Sequence, residues 1–275
     1  SEGQTDPMTP LMIGGHRVEG RGEPFDSVNP ANGKINAQIG TASIDDVDLA
    51  VSAARTAHMS SDWKWLLPHQ RADRLHAVSR IIMQRADAIA RVVMQENGKT
   101  LRECHSQALA AAGIFRYFAS VCETMEAEVT PPRGNYLSLT QYEPLGVVAA
   151  ITPWNSPINT AAEKLAPALA AGNAVVLKPS EVTPLSGLEI GGVLEEAGIP
   201  PGVVNGLPAN ASVSAALVQH PNVAMISFTG GTTAGLSIAA VAAKRLAPTL
   251  LELGGKSPHI VFEDADAERA GTAVA

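Results

Sequence analysis

Val147-Val148-Ala149-Ala150-Ile151-Thr152-Pro153-Trp154-Asn155-Ser156-Pro157 is the stretch whose reading decides the fold. Five apolar residues in a row, stopped by a Thr-Pro turn, have the length and composition of a strand buried on both faces. Similar short runs return at 174–177, 203–204, 224–228 and 249–253. Stretches with helical spacing separate them at 158–171, 186–197, 213–219 and 233–243. Strands alternating with helices of this length imply right-handed crossovers and an α/β, doubly wound, mostly parallel sheet of the Rossmann-like kind. Ligands of such sheets sit at the carboxyl ends of the strands. The loops after Ile151, Leu177, Phe228 and Leu253 are therefore expected around one crevice.

Upstream of Gly146 the pattern is different. Residues 1–10 read as a disordered tail, and 11–28 as a short hairpin turning at Gly14-Gly15. Apolar residues recur at helical spacing over 44–57, with Ser43 or Asp45 as candidate caps. One long helical region is expected over 68–97, ended by Gly98, and another helix over 101–125. Pro131-Pro132 marks a break, and 136–142 alternates like a strand with one wet face. The expected organisation is an N-terminal helical part at 11–135, a bridging and oligomerisation strand at 136–145, and a Rossmann-like core at 146–275.

The totals narrow the function. At 275 residues the chain holds one large domain, or one with an appendage. A formal net charge of −7 argues against nucleic acid as a partner, because that affinity comes largely from phosphate neutralisation by Lys and Arg. No apolar run reaches membrane-spanning length, and the first ten residues are too polar for a secretory signal. Cys104 and Cys122 lack metal spacing and read as buried structural thiols, which fits a reducing, cytoplasmic compartment. The histidines are scattered, with His69 and His76 expected as solvated or half-buried helix residues, so no metal is expected.

Four segments could carry chemistry, and each has a plain structural alternative. Glu252, in Leu251-Glu252-Leu253-Gly254-Gly255-Lys256, suits a general base whose pKa burial would raise, or a carboxylate that caps a turn or pairs with Lys256. Asn155, held between prolines, offers a fixed amide donor for a developing oxyanion, or caps the next helix. Lys178 and Glu181, after the second strand, could bond ribose hydroxyls or form an exposed pair. Phe228-Thr229-Gly230-Gly231-Thr232-Thr233-Ala234-Gly235 lets backbone approach a phosphate at a helix N-terminus, or is a tight strand-to-helix turn.

The order of Thr152-Pro-Trp-Asn155, Leu177-Lys-Pro-Ser-Glu181, Phe228-Thr-Gly-Gly-Thr232 and Leu251-Glu-Leu-Gly-Gly-Lys256 closely resembles the aldehyde dehydrogenase superfamily, from about residue 11 to 275. The resemblance implies NAD-dependent oxidation of an aldehyde to a carboxylic acid through a cysteine thiohemiacetal and thioester, in a homo-oligomer when the enzyme is complete. By it, Asn155 would help hold the oxyanion, Glu252 would activate the hydrolytic water, and Lys164 would support that proton relay. Lys178, Ser180 and Glu181 would meet the adenosine ribose, while Ile151, Thr152, Pro153, Trp154, Gly230, Gly231, Leu253 and Gly254 would line the NAD cleft. Three departures stand out. Gly231 replaces a serine found in many members, and Pro208-Ala-Asn-Ala-Ser212 lacks the usual glycines. The family's catalytic cysteine, with the catalytic domain, is expected beyond Ala275, so this chain alone is expected inactive. The rival reading is a non-catalytic NAD-binding module that naturally ends here.

Overall fold

The computed structural model describes residues 8–60 and 63–274. The tail expected over 1–10 falls outside the described residues as far as residue 7. Thr9, inside them, bridges Ile39, and its N–H donates to Gln38 O at 2.9 Å.

The elements in chain order are β1 (Leu11–Ile13), β2 (His16–Val18), β3 (Phe25–Val28), β4 (Ile35–Ile39), α1 (Ile44–Ser60), α2 (Pro68–Gln84), α3 (Ala86–Asn97) and α4 (Leu101–Thr124). Then follow β5 (Val147–Ile151), α5 (Pro157–Ala170), β6 (Ala174–Lys178), α6 (Pro184–Glu196), β7 (Val204–Gly206), α7 (Ala211–Gln219), β8 (Val223–Thr229), α8 (Thr232–Ala243), β9 (Thr249–Glu252) and α9 (Ala267–Val274).

Seven strands form one sheet in the order β2-β1-β7-β6-β5-β8-β9. The five strands from β7 to β9 are parallel, and the β1–β2 hairpin joins β7 antiparallel through Met12 and Gly206. Alternate residues of each inner strand enter opposite cores, because successive side chains of a strand point to opposite faces. Val148, Ala150, Val175 and Leu177 pack with α2 to α6, while Val147, Ala149, Ile151, Ala174 and Val176 pack with α1, α7 and α8. That division is the physical content of a doubly wound sheet. The chain adds β6 and β7 on one side of β5, then returns to place β8 and β9 on the other. Strand order therefore reverses at β5, where a crevice opens above the carboxyl ends.

The helices follow local chemistry at their starts. Thr100 Oγ1 accepts from Glu103 N at 3.3 Å and Thr100 N donates to Glu103 Oε2 at 3.1 Å, a capping box for α4. Ser43, rather than Asp45, caps α1, in reciprocal bonds with the buried Asp46. Gly98, at φ 78°, takes the left-handed position that ends α3.

Three upstream expectations are corrected. The region 68–97 is two helices, broken at Arg85, whose ψ of 9° leaves helical values. The break lets α2 lie along α4 while α3 turns toward both α4 and α6. The expected hairpin at 11–28 is only β1–β2, since β3 pairs instead with β4 in a separate two-stranded sheet. The alternating stretch 136–142 forms no ladder strand; one bridge joins Val129 and Leu139, flanked by hydrogen bonds between 128–130 and 138–140. A single narrow bridge fixes too few backbone groups to extend a strand, and Leu137, Leu139 and Tyr142 stay exposed.

Candidate functional site at the carboxyl edge of the sheet

Lys178 closes β6 with only 5% of its surface exposed. The loop that follows brings Glu181 Oε1 to 2.9 Å from Lys178 Nζ. Burial holds the Lys178 pKa below the usual lysine value, and Glu181 opposes the shift. Ser180 shapes this loop: its hydroxyl accepts from Val182 N and its carbonyl from Thr183 N, both at 3.2 Å. Beside the pair, a cleft of about 380 Å³ opens between α7 and α8, walled by Ile151, Val218, Phe228, Ile238 and Val241. An apolar slot with one ion pair in its lining suits a flat apolar group that carries hydroxyls.

The loop after β5 is anchored at both sides. Thr152 is buried and its N–H donates to Lys178 O at 3.1 Å, while the Trp154 carbonyl accepts from Asn97 Nδ2 at 2.7 Å. Pro157 opens α5 and the N-cap position falls to Ser156, so Asn155 is not the helix cap. It stands exposed at the turn, next to the half-exposed Trp154 and the partly buried Pro153.

Lys164, on α5, is also 5% exposed. Its Nζ donates to Ser227 Oγ, on β8, at 3.1 Å. Burial lowers its pKa from 10.5 to about 8, against the upward pull of Glu163 and Glu252. Composition alone did not single out Ser227. A serine inside the apolar run Met225-Ile226-Ser227-Phe228 was the available signal, since a buried hydroxyl needs a partner.

Glu252 corrects its expectation of burial. It is exposed, because β9 is the edge strand of the sheet and the following residues 253–264 are exposed too. Its carbonyl accepts from Gly230 N at 3.0 Å, which ties the β9 end to the β8 turn. A Cβ on Gly230 would come within 2.5 Å of Phe228 Cζ, so a larger residue there would need the Phe228 ring to shift. Leu253 and Gly254 follow on the exposed side of the same turn. Gly231 is the N-cap of α8 at φ −68°, without a side-chain cap.

The remaining candidates lie elsewhere. Cys104 and Cys122 are buried, and burial pushes both thiols up. Cys122 donates to the carbonyls of Pro68 and Ala170 at 3.2 and 3.3 Å, as a structural thiol does. Among the described residues, no cluster of three or more His, Cys, Asp or Glu could hold a metal ion, and no helix is long and apolar enough to cross a membrane. His69 is exposed and His76 half-buried, on α2.

The model of the aldehyde dehydrogenase family matches residues 17–275. The chain belongs to the aldehyde dehydrogenase family. Its fold is similar to that of a Staphylococcus aureus betaine aldehyde dehydrogenase point mutant in complex with NAD+, at TM-score 0.93 and 35% identity over 96% of this chain and 54% of that one. A Bacillus cereus aldehyde dehydrogenase in its NAD+ complex gives TM-score 0.93 and 35% identity, covering 97% of this chain and 55% of that one. The chain thus spans about half the length of these structures. In this aldehyde dehydrogenase chain a Cβ on Gly231 would meet nothing within 4 Å, so that glycine is no steric necessity. At 208–212, Asn210 caps α7 by accepting from Val213 N at 3.1 Å.

Proposed function

We propose that this chain is the cofactor-binding half of an enzyme that oxidises an aldehyde to a carboxylic acid with NAD. The observation that carries this reading is the buried Lys178 paired with the half-exposed Glu181, both lining an apolar cleft beside the strand-order reversal. In that cleft the adenine would lie between α7 and α8, with Lys178 and Glu181 bonding the ribose hydroxyls. Ser180 would keep that loop in shape. Ile151, Thr152, Pro153, Trp154, Gly230, Gly231, Leu253 and Gly254 would form the cleft floor and rim. The first N–H groups of α8 would face phosphate. Bound NAD would supply the hydride acceptor.

This chain's own residues then divide the acyl chemistry. Asn155, exposed on a turn fixed by Pro153 and Pro157, donates its amide N–H to the oxyanion of a thiohemiacetal. Glu252 accepts the proton of the water that hydrolyses the thioester. Lys164, which senses the Glu252 charge, modulates that proton transfer. Cys104 and Cys122 are buried, neutral thiols and do not serve as nucleophile. We assign the thiolate to a segment outside these 275 residues, which makes this chain alone inactive toward aldehydes. The complete enzyme is a cytoplasmic homo-oligomer in this reading, and the exposed 136–145 segment makes the contact between subunits.

The test is a single-turnover measurement on the complete enzyme. Glu252→Gln should keep the first-turnover burst of NADH and lose steady-state turnover, and Asn155→Ala should slow the burst by about a hundredfold or more. A lost burst in Glu252→Gln would overturn the division of roles. Aldehyde-dependent NADH formation by these 275 residues alone, abolished by Cys104→Ser or Cys122→Ser, would overturn the assignment of the nucleophile.

A further inference from the structure

Glu96, in the last turn of α3, is a carboxylate with 2% of its surface exposed. Its Oε1 accepts from Leu185 N at 2.9 Å and from Ser27 Oγ at 3.2 Å. Its Oε2 accepts from Ser186 N at 2.8 Å and Ser186 Oγ at 2.7 Å. Three of these four donors belong to the first turn of α6, where backbone N–H groups have no partner inside the helix. The residue that ought to cap them does not. Thr183 holds the N-cap position without a side-chain bond, and its Oγ1 is buried and unpartnered. Pro184 contributes no N–H.

We propose that Glu96 is a positioning residue for the cofactor loop: it supplies the cap Thr183 fails to give α6, and so fixes residues 178–183. That loop joins β6 to α6, and it carries the Lys178–Glu181 pair. One of its ends is set by the sheet and the other by the carboxylate from α3. A negative charge also suits the positive end of the helix dipole. Burial pushes the Glu96 carboxyl up, and the donors from Ser186, Leu185 and Ser27 act against that shift. Behind it, Asn36 Nδ2 donates to Ser27 Oγ at 3.4 Å and to Gln95 O at 3.1 Å, which ties the β3–β4 sheet to the same point. The inference rests on the reading of the cleft as an NAD site.

Glu96→Gln is the informative variant. Each carboxylate oxygen accepts from a backbone N–H, and a carboxamide must turn its NH2 toward one of them. In the complete enzyme, NAD affinity by calorimetry should fall about tenfold, a typical loss for a helix cap, with the KM for aldehyde unchanged. On a Glu181→Gln background the same change should cost less than about threefold, because the loop has lost the contact that Glu96 orients. An equal loss in both backgrounds, or unchanged NAD affinity, would overturn the proposal. Where Glu96→Gln fails to fold, Ser186→Ala removes only the hydroxyl bond and should weaken NAD by about threefold. A complete enzyme that binds no NAD would sink the reading of the cleft instead. Glu96 would then be judged by hydrogen exchange at Leu185 and Ser186, which Glu96→Gln must accelerate.

Discussion

Lys178, at the end of β6, and Lys164, on α5, are equally buried, in different company. Lys178 ends β6 and meets a carboxylate at 2.9 Å; Lys164 leaves α5 and meets a hydroxyl at 3.1 Å. Desolvation lowers both pKa values, and it is the partner that decides how far the charge is recovered. A carboxylate restores much of the Coulomb energy lost with water, whereas a hydroxyl offers only a dipole. Lys178 keeps that carboxylate partner in the lining of the cleft between α7 and α8. Lys164, at about 8, is built to change charge near neutral pH.

Lys178→Met would break the binding side of this pair of sites. It leaves Glu181 without its cation and removes the donor toward ribose, so NAD affinity in the complete enzyme should fall by about a hundredfold, as for a lost charged hydrogen bond. Calorimetry checks it, and a change below about threefold would show that the pair is only structural. Glu181→Gln should weaken NAD less, by about tenfold, and narrow the gap to NADP, since the charge that repels a 2′-phosphate is gone.

Titration sharpens the other side. Because the folded pKa of Lys164 lies below 10.5, the folded chain binds fewer protons than the unfolded chain between about 8 and 10.5. Stability should therefore rise with pH across that window, and Lys164→Met should flatten the rise in urea midpoints. In the same register, the deacylation rate should change through about 8. Ser227→Ala removes the acceptor that favours the ammonium, and should move that inflection down by about 0.5 to 1 unit. An inflection that stays in place in both Lys164→Met and Ser227→Ala would detach Lys164 from the step.

The smallest effect is expected at Gly231. Its backbone suits any L-residue and the space around it is open. Gly231→Ser should add a cap to α8 worth a few tenths of a kcal/mol and tighten NAD about twofold. Weaker NAD binding would show that the bare N-terminus of α8 is itself needed by the ligand.

Legibility in the sequence followed the range of the interactions. All five parallel strands and their crossover helices lay close to where short apolar runs and helical spacing put them, and in β5 and β6 burial on both faces leaves a continuous apolar signature. Lys178 and Glu181, three residues apart, were readable as a pair for the same reason of proximity. The Arg85 break carried no proline or glycine to announce it. The partner strand of β3 was hidden in the polar, turn-rich 29–39 region. Glu252 looked buried from its leucine neighbours, yet a residue on an edge strand takes its exposure from what lies beside the sheet.

By itself, then, the sequence determined the strand–helix alternation, the turns of the cleft and the order of the four motifs, all consequences of patterns within ten or so residues. Only the tertiary structure decided that Ser227 receives Lys164 across 63 positions and that Glu96 caps a helix 90 positions away. Such bonds connect groups whose local sequence is indifferent to them. A buried charge or hydroxyl is fixed by whichever partner the packed fold brings within hydrogen-bond reach, and no periodicity in the chain encodes that meeting.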